Sequence, residues 1–297
     1  MRLNPDRRPR ITRKMLRLPY FAVLILAFFA ARPAGAQDLA IIRSEIASPN
    51  PELRRDGLFQ ISNLKTETAS RLALPLLSDP DEIVRATAAT AVIFLPKQEA
   101  VTAVAPLLAD KAEFVRRESV HALGMAGDTS VTAQLLLVLG RDRSPIVRAA
   151  AAAALGECGD SSAVAPLANI LRKKPAEADE YLRRSAARSI GQIALFVRTG
   201  GRKADTPQNF LPEKYKIRAS GDPATLSNPA FNPANAVLLT VLSEKREADD
   251  TRREAAFALG AIGDPTSTAT LTANLNSPDN YLAEICKEAL LNIVSAK

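Results

Sequence analysis

Few residues in this 297-residue chain carry the side chains from which catalytic and metal sites are usually built. His121 is the only histidine, and the chain has two cysteines. A zinc site draws on several histidine, cysteine or carboxylate ligands, and a Ser-His-Asp triad on the hydrolase pattern needs a serine on a sharp turn after a strand. Neither pattern is present. We therefore predict no catalytic residue, no metal site and no cofactor, and we interpret His121 as a surface residue.

Basic and aromatic residues recur in four pairs whose members stand four residues apart. Residues with this spacing lie on one face of a helix. The pairs are Arg55 and Phe59, Arg117 and His121, Arg184 and Arg188, and Arg253 and Phe257. We expect these eight residues to line one surface that binds an acidic or extended protein or peptide partner. Ordinary solvated arginines would produce the same pattern, and that interpretation stays open.

The first 36 residues have the composition of a secretion signal. Seven basic residues within 2–17 precede an apolar run of 12 residues at 20–31, and Ala-Gly-Ala at 34–36 is a small-residue cleavage motif. A membrane-spanning helix needs about 20 apolar residues. We therefore predict cleavage before Gln37 and export across the inner membrane to a bacterial periplasm, with no membrane span left afterwards. The alternative is an uncleaved anchor.

The positive charge of the chain comes from this first segment. The whole chain has 39 basic and 32 acidic residues, a formal net charge of +7. Residues 1–36 hold eight of the basic residues and one of the acidic residues, so residues 37–297 have 31 of each. Nucleic-acid binding usually requires a basic surface. We therefore predict no nucleic-acid partner.

A mostly apolar position, which we term the anchor, recurs with a period of about 31 residues. The anchors are Leu53, Val84, Val115, Val147, Leu182, Thr251 and Leu282. Arginine follows six of the seven, and the residues four, seven and eight positions after the anchor are mostly small, small and large. These positions share one helix face. Such a period is typical of a solenoid, so we predict an all-α stack of about seven helix pairs over residues 37–297.

A stop signal ends three of the predicted second helices. The pattern Gly-x-x-Gly-Asp occurs at residues 124–128, 156–160 and 260–264. Glycine adopts the left-handed conformation that ends many helices, and aspartate can cap the helix that follows. We therefore interpret these glycines as helix ends and not as a nucleotide-binding loop.

These units resemble HEAT repeats, most closely the short PBS lyase HEAT-like type. The resemblance rests on a proline in the first helix, an aspartate in the turn, the Val-Arg pair and the closing Gly-Asp, as in residues 74–92 and 105–128. It covers about residues 38–194 and 235–294. It implies a right-handed superhelix whose second helices line a concave surface. It also implies a ladder between neighbouring repeats, in which the arginine after the anchor pairs with a turn aspartate: Asp79, Asp110 or Asp142.

The resemblance implies an interaction scaffold, because most members of the family are scaffolds and few are enzymes. We therefore expect an exported, non-catalytic HEAT-repeat scaffold, armadillo-like in architecture, that binds a protein or peptide along its concave surface. The alternative is a tetrapyrrole or bilin lyase-like protein or chromophore chaperone, although that chemistry resembles a cytosolic process and the secretion signal argues against it. Di-iron relatives use several His-Glu pairs, which one histidine does not supply.

The repeat is interrupted between the anchors Leu182 and Thr251, which stand 69 residues apart. The extra residues fall at about 196–233, where paired glycines and five prolines disfavour helix. We predict an inserted loop, with a decayed repeat as the alternative. Long loops are often functional or disordered, so a solvated loop without a role is a second interpretation. Five of its residues join the predicted partner-binding set: Phe210, Lys214, Tyr215, Lys216 and Arg218.

The two cysteines, Cys158 and Cys286, fall three repeats apart. Because neighbouring helices pack about 8–10 Å apart, the two lie on the order of 25–30 Å from each other. A disulfide cannot bridge that distance. We predict that Cys286 fills a small-residue core position and that Cys158, at a helix end, is outside any disulfide.

Overall fold

The structure is a computed structural model and describes residues 34–201 and 229–294. The chain divides into two compact units, residues 1–41 and 42–297. The described part of the first unit is the beginning of one helix, and the second unit holds the repeats. All regular secondary structure within the two described ranges is helical, which confirms the predicted all-α class.

Fourteen α-helices occupy the described ranges and form the predicted seven pairs. The first helix of each pair carries an odd number and the second an even number. Their bounds are α1 (Ala34–Ile46), α2 (Pro51–Leu64), α3 (Glu67–Ala73), α4 (Glu82–Ala91), α5 (Lys97–Val104), α6 (Glu113–Ala126), α7 (Thr132–Arg141), α8 (Pro145–Cys158), α9 (Val164–Leu171), α10 (Glu180–Arg198), α11 (Asn232–Ser243), α12 (Asp249–Ile262), α13 (Thr268–Ala273) and α14 (Asn280–Val294).

The even helices stack on one another in chain order from α2 to α14, and from α4 onward each also packs against the odd helix of its own pair. The anchors lie in these contacts: Val84, Val115 and Val147 are almost fully buried. Burying one such side chain stabilises the fold by about 1.5–3 kcal/mol. Leu53 is the exception and is exposed; no even helix precedes α2. The predicted solenoid is confirmed.

Left-handed glycines end three even helices, as predicted. Gly127, Gly159 and Gly263 have φ values of 60°, 72° and 76°. The aspartate after each glycine accepts a hydrogen bond, of 2.8 or 2.9 Å, from the backbone N–H two residues further on. That bond begins the short 3-10 turn that precedes the next odd helix. Each stop signal therefore ends one helix and starts the next.

The stack continues across the long interval between the fifth and sixth anchors. Helix α10 contacts α12 and α9 contacts α11. Helix α10 extends to Arg198, and a 3-10 turn, Pro229–Phe231, precedes α11. The edges of the predicted loop, 196–198 and 232–233, are therefore helical. The five loop residues assigned to partner binding lie outside the described residues.

No helix in the two described ranges combines the length and the apolar character that a membrane span requires.

Candidate partner-binding surface

The arginines that follow the first three anchors form the predicted ladder. Arg54 Nε donates to Asp79 at 2.8 Å and Arg85 Nε to Asp110 at 2.8 Å, each from one repeat to the next. Arg116 continues the series with Asp142 at 2.7 Å. Each guanidinium also donates to backbone carbonyls in the turn before its own helix: Ser48 and Pro49, Asp79 and Pro80, and Asp110 and Lys111. These arginines join repeats and are not available to a partner.

The ladder lowers the pKa of two of its aspartates, Asp110 and Asp142. Burial by itself raises the pKa of Asp110, but hydrogen bonds from Arg85 and from the Ala112 N–H outweigh burial and lower that pKa overall. Burial and Arg116 act on the pKa of Asp142 in the same opposed way, again with a net lowering. A carboxylate with a depressed folded pKa stabilises the fold above its ordinary pKa, and this contribution is lost as the pH falls through the folded pKa. The contribution of Asp110 and Asp142 is therefore lost as the pH falls below the ordinary pKa of an aspartate.

The ladder changes at the fourth repeat. Arg148 reaches Asp179 only at 3.9 Å. Arg183 instead forms a multiply bonded ion pair with Glu247, and their side chains are 3% and 2% exposed. The Arg183 guanidinium also donates to three carbonyls at the end of α9 and in the turn after it: those of Ile170, Leu171 and Lys173. A glutamate 64 residues away thus replaces the turn aspartate of the earlier repeats.

The even helices share one face, at positions −1, +2, +3, +6 and +10 from the anchor, most of whose residues are exposed or partly exposed. This is the i, i+3, i+4, i+7, i+11 spacing of a single helix face. On α8 these residues are all at least partly exposed: Ile146, Ala149, Ala150, Ala153 and Glu157. We refer to these five positions on the seven even helices as the even-helix face.

Seven of the eight predicted helix residues lie on this face with exposed or partly exposed side chains: Arg55, Phe59, Arg117, His121, Arg184, Arg188 and Arg253. The prediction of a surface position is wrong for Phe257, because its side chain is buried. Its ring fills the space beside Gly191, where a Cβ atom would lie 2.6 Å from Cε1 of the ring. The aromatic side chain turns into this gap between α10 and α12.

The arginines in the C-terminal half of the face already hold carboxylates. Arg184 pairs with Asp250 at 3.1 Å and Arg188 with Glu254 at 3.4 Å, each across to the next even helix. Arg253 pairs with Asp250 at 2.6 Å and with Asp279 at 2.8 Å. At these three arginines the chain itself supplies the acidic groups that a partner was expected to bring. Single-helix spacing did not reveal the pairs of Arg184 and Arg188, because their carboxylates belong to the next even helix.

Sequence reasoning missed the apolar residues at position −1 of the even-helix face. Large exposed side chains stand there in five repeats: Ile83, Phe114, Ile146, Tyr181 and Tyr281. Guanidiniums stack over the three aromatic rings, with Arg117 4.9 Å from the centroid of Phe114, Arg184 5.3 Å from that of Tyr181 and Arg253 5.4 Å from that of Tyr281. The sequence contains a signal for this row. Adjacent residues are rotated by about 100° around the helix axis, so a large apolar residue just before a buried anchor lies off the packing stripe.

Glu254 is a carboxylate on this face with one buried oxygen. Burial raises its pKa, partly countered by Arg188 and Arg184, and its Oε2 is buried without a hydrogen-bond partner. A raised folded pKa means that the folded state binds a proton more readily than the unfolded state. The contribution of Glu254 to stability is therefore present below its ordinary pKa and is lost as the pH rises through its folded pKa.

We expect Glu254→Gln to raise the free energy of unfolding at neutral pH by about 1 kcal/mol, because an amide removes the buried charge. Urea unfolding at pH 7 measures the change. Glu118→Gln is the matched control: its carboxylate also pairs with an arginine, Arg117, at 2.8 Å, and its side chain is 23% exposed against 15% for Glu254. Of the two carboxylates, it is Glu254 that has a buried oxygen without a hydrogen-bond partner, so we expect a change within about 0.5 kcal/mol for Glu118→Gln. A clear loss of stability in Glu254→Gln would show that its ion pairs outweigh burial.

Both cysteines are buried and outside any disulfide, as predicted. Burial raises the pKa of the Cys286 thiol to about 12, so this thiol is a packing group. No cluster of three or more His, Cys, Asp or Glu side chains that could hold a metal ion occurs in the parts of the chain that the structure describes.

A cavity of about 330 Å³ lies apart from the even-helix face, beside the ion pair of Arg183 and Glu247. Its apolar wall consists of Leu171, Pro175, Val237 and Val241, and its rim carries Arg172, Lys173 and Lys174. Its volume is at the lower end for ligand pockets. It forms where the turn of the fifth pair is lengthened, at residues 172–179.

Comparison with known proteins supports the repeat assignment. The HEAT-repeat family model matches residues 39–124, 71–154 and 132–204, which together cover more than half of the chain. The PBS lyase HEAT-like repeat model matches residues 251–277. No curated protein matches the chain.

Several solved structures are similar to this chain at low sequence identity. An engineered protein is 19% identical, with 86% of this chain and 67% of that chain covered and a TM-score of 0.51. The CpcE–CpcF complex of phycocyanin lyase from Nostoc sp. PCC7120 is 18% identical, with 86% and 91% covered and a TM-score of 0.48. A designed armadillo repeat protein in complex with the peptide (KR)4 is 14% identical, with 85% and 98% covered and a TM-score of 0.42. The family models show that this chain belongs to the HEAT-repeat family.

Proposed function

We propose that this chain is an exported HEAT-repeat scaffold whose even-helix face binds a peptide segment of a protein partner. The observation that carries the proposal is the row of exposed apolar side chains at position −1. Four consecutive even helices contribute to it: Ile83, Phe114, Ile146 and Tyr181. Exposed large apolar residues that form a continuous patch mark interaction surfaces, whereas scattered ones carry no such meaning.

The repeated architecture supports a binding surface that contacts a partner at many points along the stack. Most of the five positions are exposed or partly exposed on each even helix, so a partner that lies across the helices meets side chains at equivalent positions in successive repeats. The residues differ between repeats, and this variation selects the partner. Phe59, Tyr181 and Arg117 belong to the types enriched at interface hot spots, namely aromatic residues and arginine.

Photo-crosslinking in living cells tests the proposal. A photoreactive amino acid is placed at Phe59 or Tyr181 on the even-helix face, and at Ala133 on α7 or Ala165 on α9 as exposed odd-helix controls. We expect one discrete adduct from the even-helix positions and none from the odd-helix positions. Equal labelling of both sets, or labelling of the odd helices alone, would contradict the proposal.

Export rests on the basic segment at 2–17, the apolar run at 20–31 and the Ala-Gly-Ala motif at 34–36. We expect the chain isolated from the periplasmic fraction to begin at Gln37, which N-terminal sequencing measures. Ala36→Asp should block processing, because signal cleavage requires a small residue at that position. Ala40→Asp, beyond the motif, should leave it intact. A chain that keeps residues 1–36 and stays in the cytoplasm would contradict export.

A further inference from the structure

The even helices stack in a fixed register. Positions +2 and +6 of one even helix face positions −1 and +3 of the next, as the bonds from Arg184 to Asp250 and from Arg188 to Glu254 show. Deeper in the interface, a glycine at +9 meets the residue at +7 of the next helix. Between α6 and α8 a Cβ added to Gly124 would lie 2.9 Å from Cα of Ala154, so this interface has the same register.

This register leaves positions +2 and +6 of α6 without an acidic residue opposite them on α8. On α6 the residues at +2 and +6 are Arg117 and His121, and on α8 the residues at −1 and +3 are Ile146 and Ala150. Between α10 and α12, the corresponding positions hold two arginines and two carboxylates. The stretch from α6 to α8 therefore presents cationic and aromatic side chains beside an uncharged neighbour. A partner can supply there the carboxylate that α12 supplies to α10.

Arg117 is arranged to accept such a carboxylate. Its guanidinium stacks on Phe114, and its Nε and Nη2 bind Glu118 at 2.9 and 2.8 Å. Its Nη1 has no hydrogen-bond partner among the described residues, and its side chain is 40% exposed. Arg253, which also lies against an aromatic ring, holds two carboxylates at once. Arg117 has one carboxylate and room for a second.

The spacing of the apolar row indicates the conformation of the partner. Packed helices lie about 8–10 Å apart, so Phe114, Ile146 and Tyr181 follow one another at about this interval. A polyproline II segment has three residues per turn and a rise of about 3.1 Å per residue, so every third side chain recurs at about 9.3 Å. Side chains on one face of a β-strand recur at about 6.6–6.8 Å. The polyproline II repeat fits the row and the strand repeat does not.

We propose that Phe114, Arg117, Ile146 and Tyr181 bind a polyproline II segment of the partner that carries an apolar side chain at every third position and a neighbouring carboxylate. The apolar side chains contact the row one per repeat, and the carboxylate binds Nη1 of Arg117. This inference rests on the proposed function, because it specifies the partner of the same face. The carboxylate of the partner is therefore expected to bind at α6 and α8, and not at Arg184, Arg188 or Arg253.

A model peptide tests the inference. The probe is a fluorescein-labelled peptide of repeated Leu-Pro-Glu units, titrated with the purified chain and followed by fluorescence anisotropy. We expect Ile146→Ala and Arg117→Gln each to weaken binding by at least about fivefold, as expected for central interface contacts. The matched controls are Leu137→Ala and Arg141→Gln on α7. Leu137 is 53% exposed and Ile146 54%, and neither control should change the affinity.

Two further peptides separate charge from spacing. A Leu-Pro-Lys repeat keeps the spacing and reverses the charge, and a Leu-Pro-Glu-Glu repeat keeps the acid and changes the leucine interval from three to four. We expect both to bind at least about fivefold more weakly than the probe. Equal binding of all three peptides, no binding of the probe, or insensitivity to both substitutions would overturn the inference. In that event, adducts at Phe59 or Tyr181 in the crosslinking experiment would leave the proposed function standing, and their absence would remove both.

Discussion

Replacing Arg183 with methionine is expected to lower the free energy of unfolding by about 3–5 kcal/mol, because the Glu247 carboxylate would remain buried without its partner. The two side chains are 3% and 2% exposed. The guanidinium also joins α9 to α10 through carbonyls of Ile170, Leu171 and Lys173. Urea unfolding followed by circular dichroism measures the loss.

Two variants separate the charge effect from the packing effect. Adding Glu247→Gln to Arg183→Met should recover a large part of the loss, since the amide removes the buried charge. Arg71→Met is the exposed control: Arg71 pairs with Glu67 and Glu99 but is 46% exposed, so we expect a loss of no more than about 1 kcal/mol. Equal losses in Arg183→Met and Arg71→Met would contradict the role of the buried Arg183–Glu247 ion pair in stability.

Gly260→Ala is expected to lower the free energy of unfolding by about 1–3 kcal/mol. A Cβ added to Gly260 would lie 2.5 Å from Cα of Ala289 on α14. The obstacle is backbone, so a side-chain rotation cannot relieve the overlap and α12 and α14 must separate. Thermal or urea unfolding of the variant measures the loss.

The chain provides its own control for this substitution. Gly140, near the end of α7, would meet no atom within 4 Å if it carried a Cβ. Gly140→Ala should raise stability by about 0.5–1 kcal/mol, since alanine loses less backbone freedom in a helix than glycine does. Opposite signs for the same chemical change would show that the even helices need glycine for close approach. A stabilising Gly260→Ala would contradict the packing at this interface.

The sequence predicts the repeat architecture well because the responsible interactions are local or periodic. The apolar stripe of each even helix lies within nine residues of its anchor, and the Gly-Asp stops act within five residues. The partners of Arg54, Arg85 and Arg116 were also predictable, because each aspartate stands 25 or 26 residues further on in a repeat of about 31.

The surface was less predictable because its character depends on contacts between helices. Phe257 has the spacing of a surface residue, but the gap at Gly191 on the preceding even helix buries it. Glu247 replaces a turn aspartate from 64 residues away, across the long interval, where the repeat period no longer locates a partner. In the sequence, Arg184 and Arg188 resemble a basic patch. In the structure, the helix register places Asp250 and Glu254 opposite them.

The register also divides the even-helix face into two parts. Toward the C-terminus, arginines and carboxylates of neighbouring helices neutralise each other. From α4 to α10, apolar and aromatic side chains dominate position −1, and Arg117 keeps a free donor. We therefore expect a partner to bind most strongly at this second part, with Ile146 near its centre.

The most direct test of the central claim is a photo-crosslinking comparison at Ile146 and Leu137. The two side chains are 54% and 53% exposed, so they are equally accessible to a partner. They lie on α8 and α7 of the same repeat. If the even-helix face binds the partner, position 146 gives a discrete adduct and position 137 gives none. The crosslinked peptide of the partner then contains an apolar residue at every third position. Equal adduct yields at the two positions, or an adduct from position 137 alone, would contradict partner binding by the even-helix face.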